Sequence, residues 1–314
     1  MINRELIRLK IVQLTYAYYQ NGDNNMDKAE KELLYSLSKA YDLYMSLLEL
    51  IVAVTHEMRH RYDIALARAK REGESIPSPR FVDNKFALQL EDNRQLIEHQ
   101  ENKKVISWQD DIEIVRKVCG LIEQSSVYTD YINNSDDSYD ADREVWRKIY
   151  RTVIENNADL DAFFEDKSLY WNDDKEIVDT FVVKTIKRFD PKTNDKQELL
   201  PEFRDEEDRE FACKLFRATI LNSDTYHGYM SEASRNCDIS RLAFMDVVIM
   251  QIAIAEMLTF PNIPVSVTIN EYVDLAKLYS TPRSGGYING MLDTIARHLI
   301  KTHEMMKSMP EKKS

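Results

Sequence analysis

Glycine and proline are scarce in this chain, seven and eight among 314 residues. Strand-type alternation of apolar and polar residues is nearly absent as well, so β architectures are excluded and an all-α protein remains. Cysteine is scarcer still. Cys119, Cys213 and Cys237 are odd in number and far apart, which excludes a disulfide framework or a C-x-x-C metal knuckle and fits a reducing compartment. The longest apolar run, LLELIVAV from Leu47 to Val54, contains Glu49 and falls far short of the roughly 20 residues of a membrane span. The opening MINRELIRLK is charged throughout, so no secretory leader is expected and a cytoplasmic protein without membrane association is anticipated. No G-x-G-x-x-G unit occurs, which removes a nucleotide-dependent methyltransferase fold.

What is present is charge and helix-forming residues. The formal net charge of −12 argues against a generic nucleic-acid coat, because phosphate binding needs clustered cations. The charge is uneven. Residues 155–210 hold 18 Asp and Glu against 9 Lys and Arg, a net of −9, whereas residues 211–314 hold 10 against 11, a net of +1. Solvated helix faces account for the acidic middle, with a basic partner as the alternative.

At roughly 100–200 residues per domain the length predicts about two domains. Apolar residues at helical spacing predict a first helix over 3–19, ended by the turn residues Asn21–Asn25. From Met26 to Glu72 there is neither Gly nor Pro, which predicts one very long helix or two broken near Tyr44. Further helices are expected over 84–100, 108–123, 142–156, 206–222, 225–234, 240–259, 266–279 and 284–301, with Ser240 and Ser266 as N-caps. The polar, proline-containing segment 190–208 is the expected domain boundary. DREVWRKIYRTVIEN (Asp142–Asn156) aligns without gaps to DREFACKLFRATILN (Asp208–Asn222), with seven of fifteen positions identical. This is either a duplicated helix unit or the chance agreement of two amphipathic helices.

Three phrases near the C-terminus are distinctive: IAIAEML (Ile252–Leu258) followed by Ile263-Pro264, INEYVDLAK (Ile269–Lys277), and SGGYINGMLD (Ser284–Asp293). In order and spacing they resemble the C-terminal bundle of the NusB family of transcription antitermination factors. IVQLTYAYYQ (Ile11–Gln20) resembles the family's first helix. The expected fold is therefore a NusB-like helical bundle, two packed three-helix-type bundles, enlarged by an inserted helical region. Residues 1–20 supply the first helix, 21–205 an insertion or partly duplicated bundle, 206–301 the C-terminal bundle, and 302–314 a disordered tail.

The resemblance implies a protein that is not an enzyme and needs no cofactor. It implies pairing with the small-subunit ribosomal protein also called NusE, binding of boxA RNA from ribosomal RNA leaders, and action on the transcription elongation complex. A homodimer is left open, because some relatives dimerise. Carried onto this sequence, the RNA surface comprises Arg4, Arg8, Lys10, Tyr16, Tyr18, Arg283, Ser284 and Tyr287. It is thinner in cations than the family's, since Glu5 and Leu6 stand where arginine is common, while Arg283 stands where some relatives carry an acid. Tyr287 is either core filler or a stacking surface. Glu256 and Glu271 are expected on the protein-partner face. Asn270, Asn289 and Gly290 are read as structural: the amides bonding turns or caps, the glycine allowing close helix packing.

VAVTHEMRHRYD (Val52–Asp63) contains H-E-x-x-H. His56 and His60, four apart, share a helix face, and Glu57 would polarise a metal-bound water, so a zinc metallohydrolase is the alternative function. Against it, Arg59 and Arg61 flank His60 with positive charge, and no recognisable phrase supplies a third ligand.

Overall fold

The computed structural model describes residues 1–22, 25–102, 106–234 and 242–307. Among these, helices account for the ordered backbone: α1 (Arg4–Asn21), α2 (Met26–Glu72), α3 (Lys85–Glu91), α4 (Arg94–Asn102), α5 (Ile112–Gln124), α6 (Ser126–Asn133), α7 (Tyr139–Ile149), α8 (Ala158–Lys167), α9 (Lys175–Arg188), α10 (Glu206–Leu221), α11 (Ser223–Ala233), α12 (Phe244–Thr259), α13 (Val265–Tyr279) and α14 (Ser284–Lys301). The only extended pairing among the described residues is an isolated bridge between Ile2 and Phe203.

Local chemistry sets the boundaries. The Asn3 side chain accepts the Leu6 N–H to start α1, and Gly22, at φ 63°, ends it in the left-handed conformation that glycine adopts without strain. With no Gly or Pro to interrupt it, α2 runs unbroken for 47 residues and stops at Gly73, at φ 71°. The helix expected over 84–100 is divided because the Asn93 side chain accepts the Leu96 N–H and caps α4. The helix expected from 240 begins at Phe244; Ser240 lies outside the described residues. Ser266 is not an N-cap, since Pro264 takes that place with its fixed φ and Ser266 sits inside the first turn of α13.

The chain forms two compact units. Residues 2–37 and 203–314 make a helical bundle around α12. Twelve of the sixteen residues of α12 are buried, so it is apolar all round, as a helix at the centre of a bundle must be. It packs against α1, α10, α11, α13 and α14. Each fully buried Ile or Met there contributes on the order of 1.5–3 kcal/mol. The first turns of α2 belong to this unit, where Leu33 and Leu37 are buried and Arg217 binds Asp27 and Glu30. Close helix approach occurs at the buried Gly285, where an added Cβ would lie 3.7 Å from Val273 Cγ1 on α13. Gly290, expected in that role, is exposed with open space beside it.

Residues 38–202, with Met1, form the second unit. Its core gathers Leu43, Leu47, Ile51 and Val54 of α2 with Val118 of α5, Trp146 of α7 and Val182 of α9. Three buried polar pairs tie its helices together: the Tyr44 hydroxyl with Thr185 Oγ1 at 2.7 Å, Trp171 Nε1 with the Lys39 carbonyl at 2.7 Å, and Tyr150 with Asp179 at 2.6 Å.

The similar segments 142–156 and 208–222 bury matching positions. Asp142, Val145, Trp146, Ile149, Tyr150 and Val153 are buried in one, and Asp208, Phe211, Ala212, Leu215, Phe216 and Thr219 in the other. They part at the end, where α7 widens into a π-turn over Tyr150–Ile154 while α10 stays regular. Residues 302–307, expected to begin a disordered tail, form a turn in which Met305 is buried and Glu304 accepts the Tyr229 hydroxyl; residues 308–314 lie outside the described residues.

Candidate functional site

Within the bundle, the residues expected at a binding surface divide into those turned inward and those left open. Helix α12 carries Glu256 with no exposed surface, and a lone buried carboxylate demands a cation and donors. Arg8 supplies the cation. Its Nε and Nη2 donate to Glu256 at 2.8 and 3.0 Å, and its Nη1 donates to Glu271 at 3.1 Å. Thr268 Oγ1 and the Tyr272 hydroxyl donate to the same Glu256 carboxylate at 2.8 and 3.0 Å. Burial works against the Arg8 charge, but the hydrogen bond and charge of Glu256 outweigh it and hold the guanidinium protonated more firmly than usual. Burial raises the Glu271 carboxyl above its ordinary range; Arg8 opposes this, while Glu5, Glu256 and Asp274 reinforce it.

This corrects two expectations. Arg8 does not face RNA and Glu256 does not face a partner, because each neutralises the other inside the bundle. Lys10 is fully buried and is likewise no surface cation. Arg4 is partly exposed but engaged, 3.5 Å from Asp208 and with its guanidinium 5.0 Å from the Phe211 ring centroid. Ser284, also expected on the RNA face, is buried: its hydroxyl donates to Asp246 Oδ2 at 2.9 Å and fixes the entry to α14.

The open residues lie elsewhere. Arg283 is exposed at the N-cap of α14, followed by exposed Gly286, Asn289 and Gly290, with no atom within 4 Å of a Cβ placed on either glycine. Asn270 is exposed and Glu271 and Tyr287 are half-buried. On α1, Tyr16 is exposed and Tyr18 half-buried, its ring 5.6 Å from Tyr19. Sequence reasoning missed Phe244, whose exposed ring packs 5.4 Å from Tyr16 and 6.1 Å from Tyr19. Placing the start of α12 at 240 hid it, since that placement put Phe244 a full turn inside a helix that reads as core.

The H-E-x-x-H residues are engaged differently from a metal site. His56 Nε2 lies 2.7 Å from Glu91, which also binds Arg59 at 3.0 Å; Glu57 is buried and held by Arg61 at 3.1 Å and Arg116 at 3.5 Å. His60 is exposed, and among the described residues no group of three or more His, Cys, Asp or Glu is arranged to hold a metal ion. The zinc reading finds no support. No described helix is long and apolar enough to cross a membrane.

Comparison with known proteins places the C-terminal part of the chain. The NusB family model matches residues 180–297, starting within α9. The transcription antitermination protein NusB of Dictyoglomus thermophilum is 37% identical over 101 residues, 32% of this chain and 67% of that protein. That of Salinibacter ruber is 32% identical over 120 residues, covering 36% and 75%, and that of Natranaerobius thermophilus 48% identical over 83 residues, covering 26% and 60%. The chain thus spans 60 to 75% of the length of these relatives, and they align with about a third of it. No solved structure matches the chain significantly. With the matched span covering α10 to α14 and the three phrases set on α12, α13 and α14, the chain belongs to the NusB family.

Proposed function

We propose that this protein is a transcription antitermination factor that pairs with the small-subunit ribosomal protein NusE and binds boxA-type RNA, helping the elongation complex through terminators. The relationship to named antitermination proteins, with a family match over residues 180–297, carries the reading. NusB-family proteins are non-enzymatic, and the role is one of binding.

The open strip of α14 supports it chemically. Arg283 offers a guanidinium to a phosphate, exposed Asn289 offers an amide, and Gly286 and Gly290 leave room for a backbone to approach. Tyr16 and Tyr18 supply faces for unpaired bases. Half-exposed Glu271 is the remaining carboxylate for a basic protein partner. Because Arg8 and Lys10 are spent inside the bundle, RNA affinity depends on cations brought by that partner. Residues 38–202 are read as an insertion, since 2–37 and 203–314, which flank them in sequence, form one unit. The protein acts in the cytoplasm, and a homodimer is one resting state of the partner surface.

The test is an anisotropy titration of boxA-type RNA, with the protein alone and with the ribosomal protein added, at two salt concentrations. Tight, salt-sensitive binding only in the presence of the partner is expected. Failure of RNA to bind in both cases would remove the RNA role.

A further inference from the structure

We infer that Phe244 is a base-stacking residue, forming with Tyr16 and Tyr19 a three-ring platform for single-stranded RNA; this rests on the RNA-binding reading above. Of the eleven phenylalanines in the chain, Phe244 alone is exposed, at 41%. Only two other aromatic side chains among the described residues are exposed, Tyr35 and Tyr16, and Tyr16, at 37%, is in contact with Phe244. Two of three exposed rings in one contact mark a surface built of π-faces.

The platform is held in place from beneath. Gln251, 1% exposed, donates through Nε2 to the Tyr19 hydroxyl and to the Thr219 carbonyl, both at 2.7 Å, while its Oε1 lies 3.0 Å from His227 Nε2. With its hydroxyl fixed, Tyr19 presents its ring at 78° to Phe244, and Tyr16 meets the same ring at 55°. Gln251 is therefore a positioning residue.

Charge selects the occupant. In a chain where 31% of residues are charged, α1 carries no charged side chain from Ile11 to Asn21. The nearest carboxylate on α12, Asp246, is buried and turned onto Ser280 and Ser284. Among the described residues of α1 and α12, a polyanion with unstacked bases meets no carboxylate over Ile11–Asn21 and none from the buried Asp246, whereas a lysine- or arginine-rich protein segment would find none there to pair with.

The test uses full-length Phe244→Leu and Phe244→Trp, both at an exposed position where folding is retained. Phe244→Leu keeps apolar bulk but removes the π-face, and binding of single-stranded boxA-type RNA is expected to weaken about tenfold. Phe244→Trp is expected to bind within about twofold of wild type, with indole emission quenched by the RNA and unchanged by the basic ribosomal protein alone. Wild-type affinity in Phe244→Leu, or a tryptophan that answers to the ribosomal protein and not to RNA, overturns the inference and leaves the RNA reading standing. Absence of RNA binding by the wild-type protein and its partner together removes both.

Discussion

The two units of the chain are of similar size and handle charge in opposite ways. Residues 38–202 hold 24 Lys and Arg against 34 Asp and Glu, a net of −10, while the remainder holds 18 against 20, a net of −2. The bundle is nearly neutral because its charges answer one another, most deeply in the Arg8–Glu256 pair. In the acidic unit buried Asp179 meets Lys175 at 2.8 Å and buried Glu49 and Asp42 share His99, while Asp142 is held by the Tyr131 hydroxyl and the Lys85 backbone N–H. Net charge therefore does not reveal the few internal pairs, in which loss of one partner would leave a buried charge uncompensated.

The largest expected effect comes from breaking the bundle's pair. Arg8→Met takes from Glu256 its cation at zero exposure, and should cost about 3–5 kcal/mol in urea denaturation. Hydrogen-exchange protection should fall in 203–307 rather than 38–202. The double variant Arg8→Met with Glu256→Leu should recover most of that loss; if it does not, the pair is more than self-neutralising. In the acidic unit, Asp179→Ala removes the acceptor of the Tyr150 hydroxyl and leaves Lys175 to Asp161 and the Ile154 carbonyl, at about 1–3 kcal/mol, with protection lost in 38–202.

A pH titration sharpens the contrast. Burial opposes the His99 charge, but hydrogen bonds to Asp42 and Glu49 and their charges raise its pKa from 6.5 to about 9. Tyr41 packs on the ring edge, and Lys39 competes for Asp42 at 2.9 Å. Because the folded value is raised, the stabilisation is complete below about pH 6.5 and is lost as pH rises through about 9. The denaturation midpoint should fall over that window in wild type, and His99→Gln should flatten the fall. The smallest effect is expected at Gly290, where Gly290→Ala meets no neighbour and should stabilise α14 by up to about 1 kcal/mol in a thermal melt.

Much of the fold was legible in the sequence because helix chemistry is local. The absence of Gly and Pro from Met26 to Glu72 gives the 47-residue α2, and the apolar phrases give α12 to α14 within a few residues. The short helices α6, α8 and α9 were not drawn, since tertiary burial of Tyr131, Phe164 and Val182 decides them more than pattern does. The candidate surface was legible in type and not in orientation. A run such as Arg4, Arg8 and Lys10 reads as a cationic edge, yet whether a long side chain turns outward depends on a carboxylate that sits 248 residues away in sequence, as Glu256 does from Arg8. The signal that was available is Glu256 itself, a lone acid inside an apolar helix, which needed an internal cation. Phe244 gave no such signal, since a phenylalanine at the head of an apolar helix reads as core.

The Ile2–Phe203 bridge and the packing of α1 on α10 and α12 have a consequence for how the molecule is made. The acidic unit is, apart from Met1, one contiguous stretch and can close as soon as residue 202 is available. The bundle cannot, because α1 must wait for α10, α12 and the Glu256 that receives Arg8. At roughly 5–20 residues synthesised per second, that wait lasts on the order of ten seconds or more. Throughout it, α1 exposes Leu6, Ile7, Ile11 and Val12, an apolar face whose final partners do not yet exist.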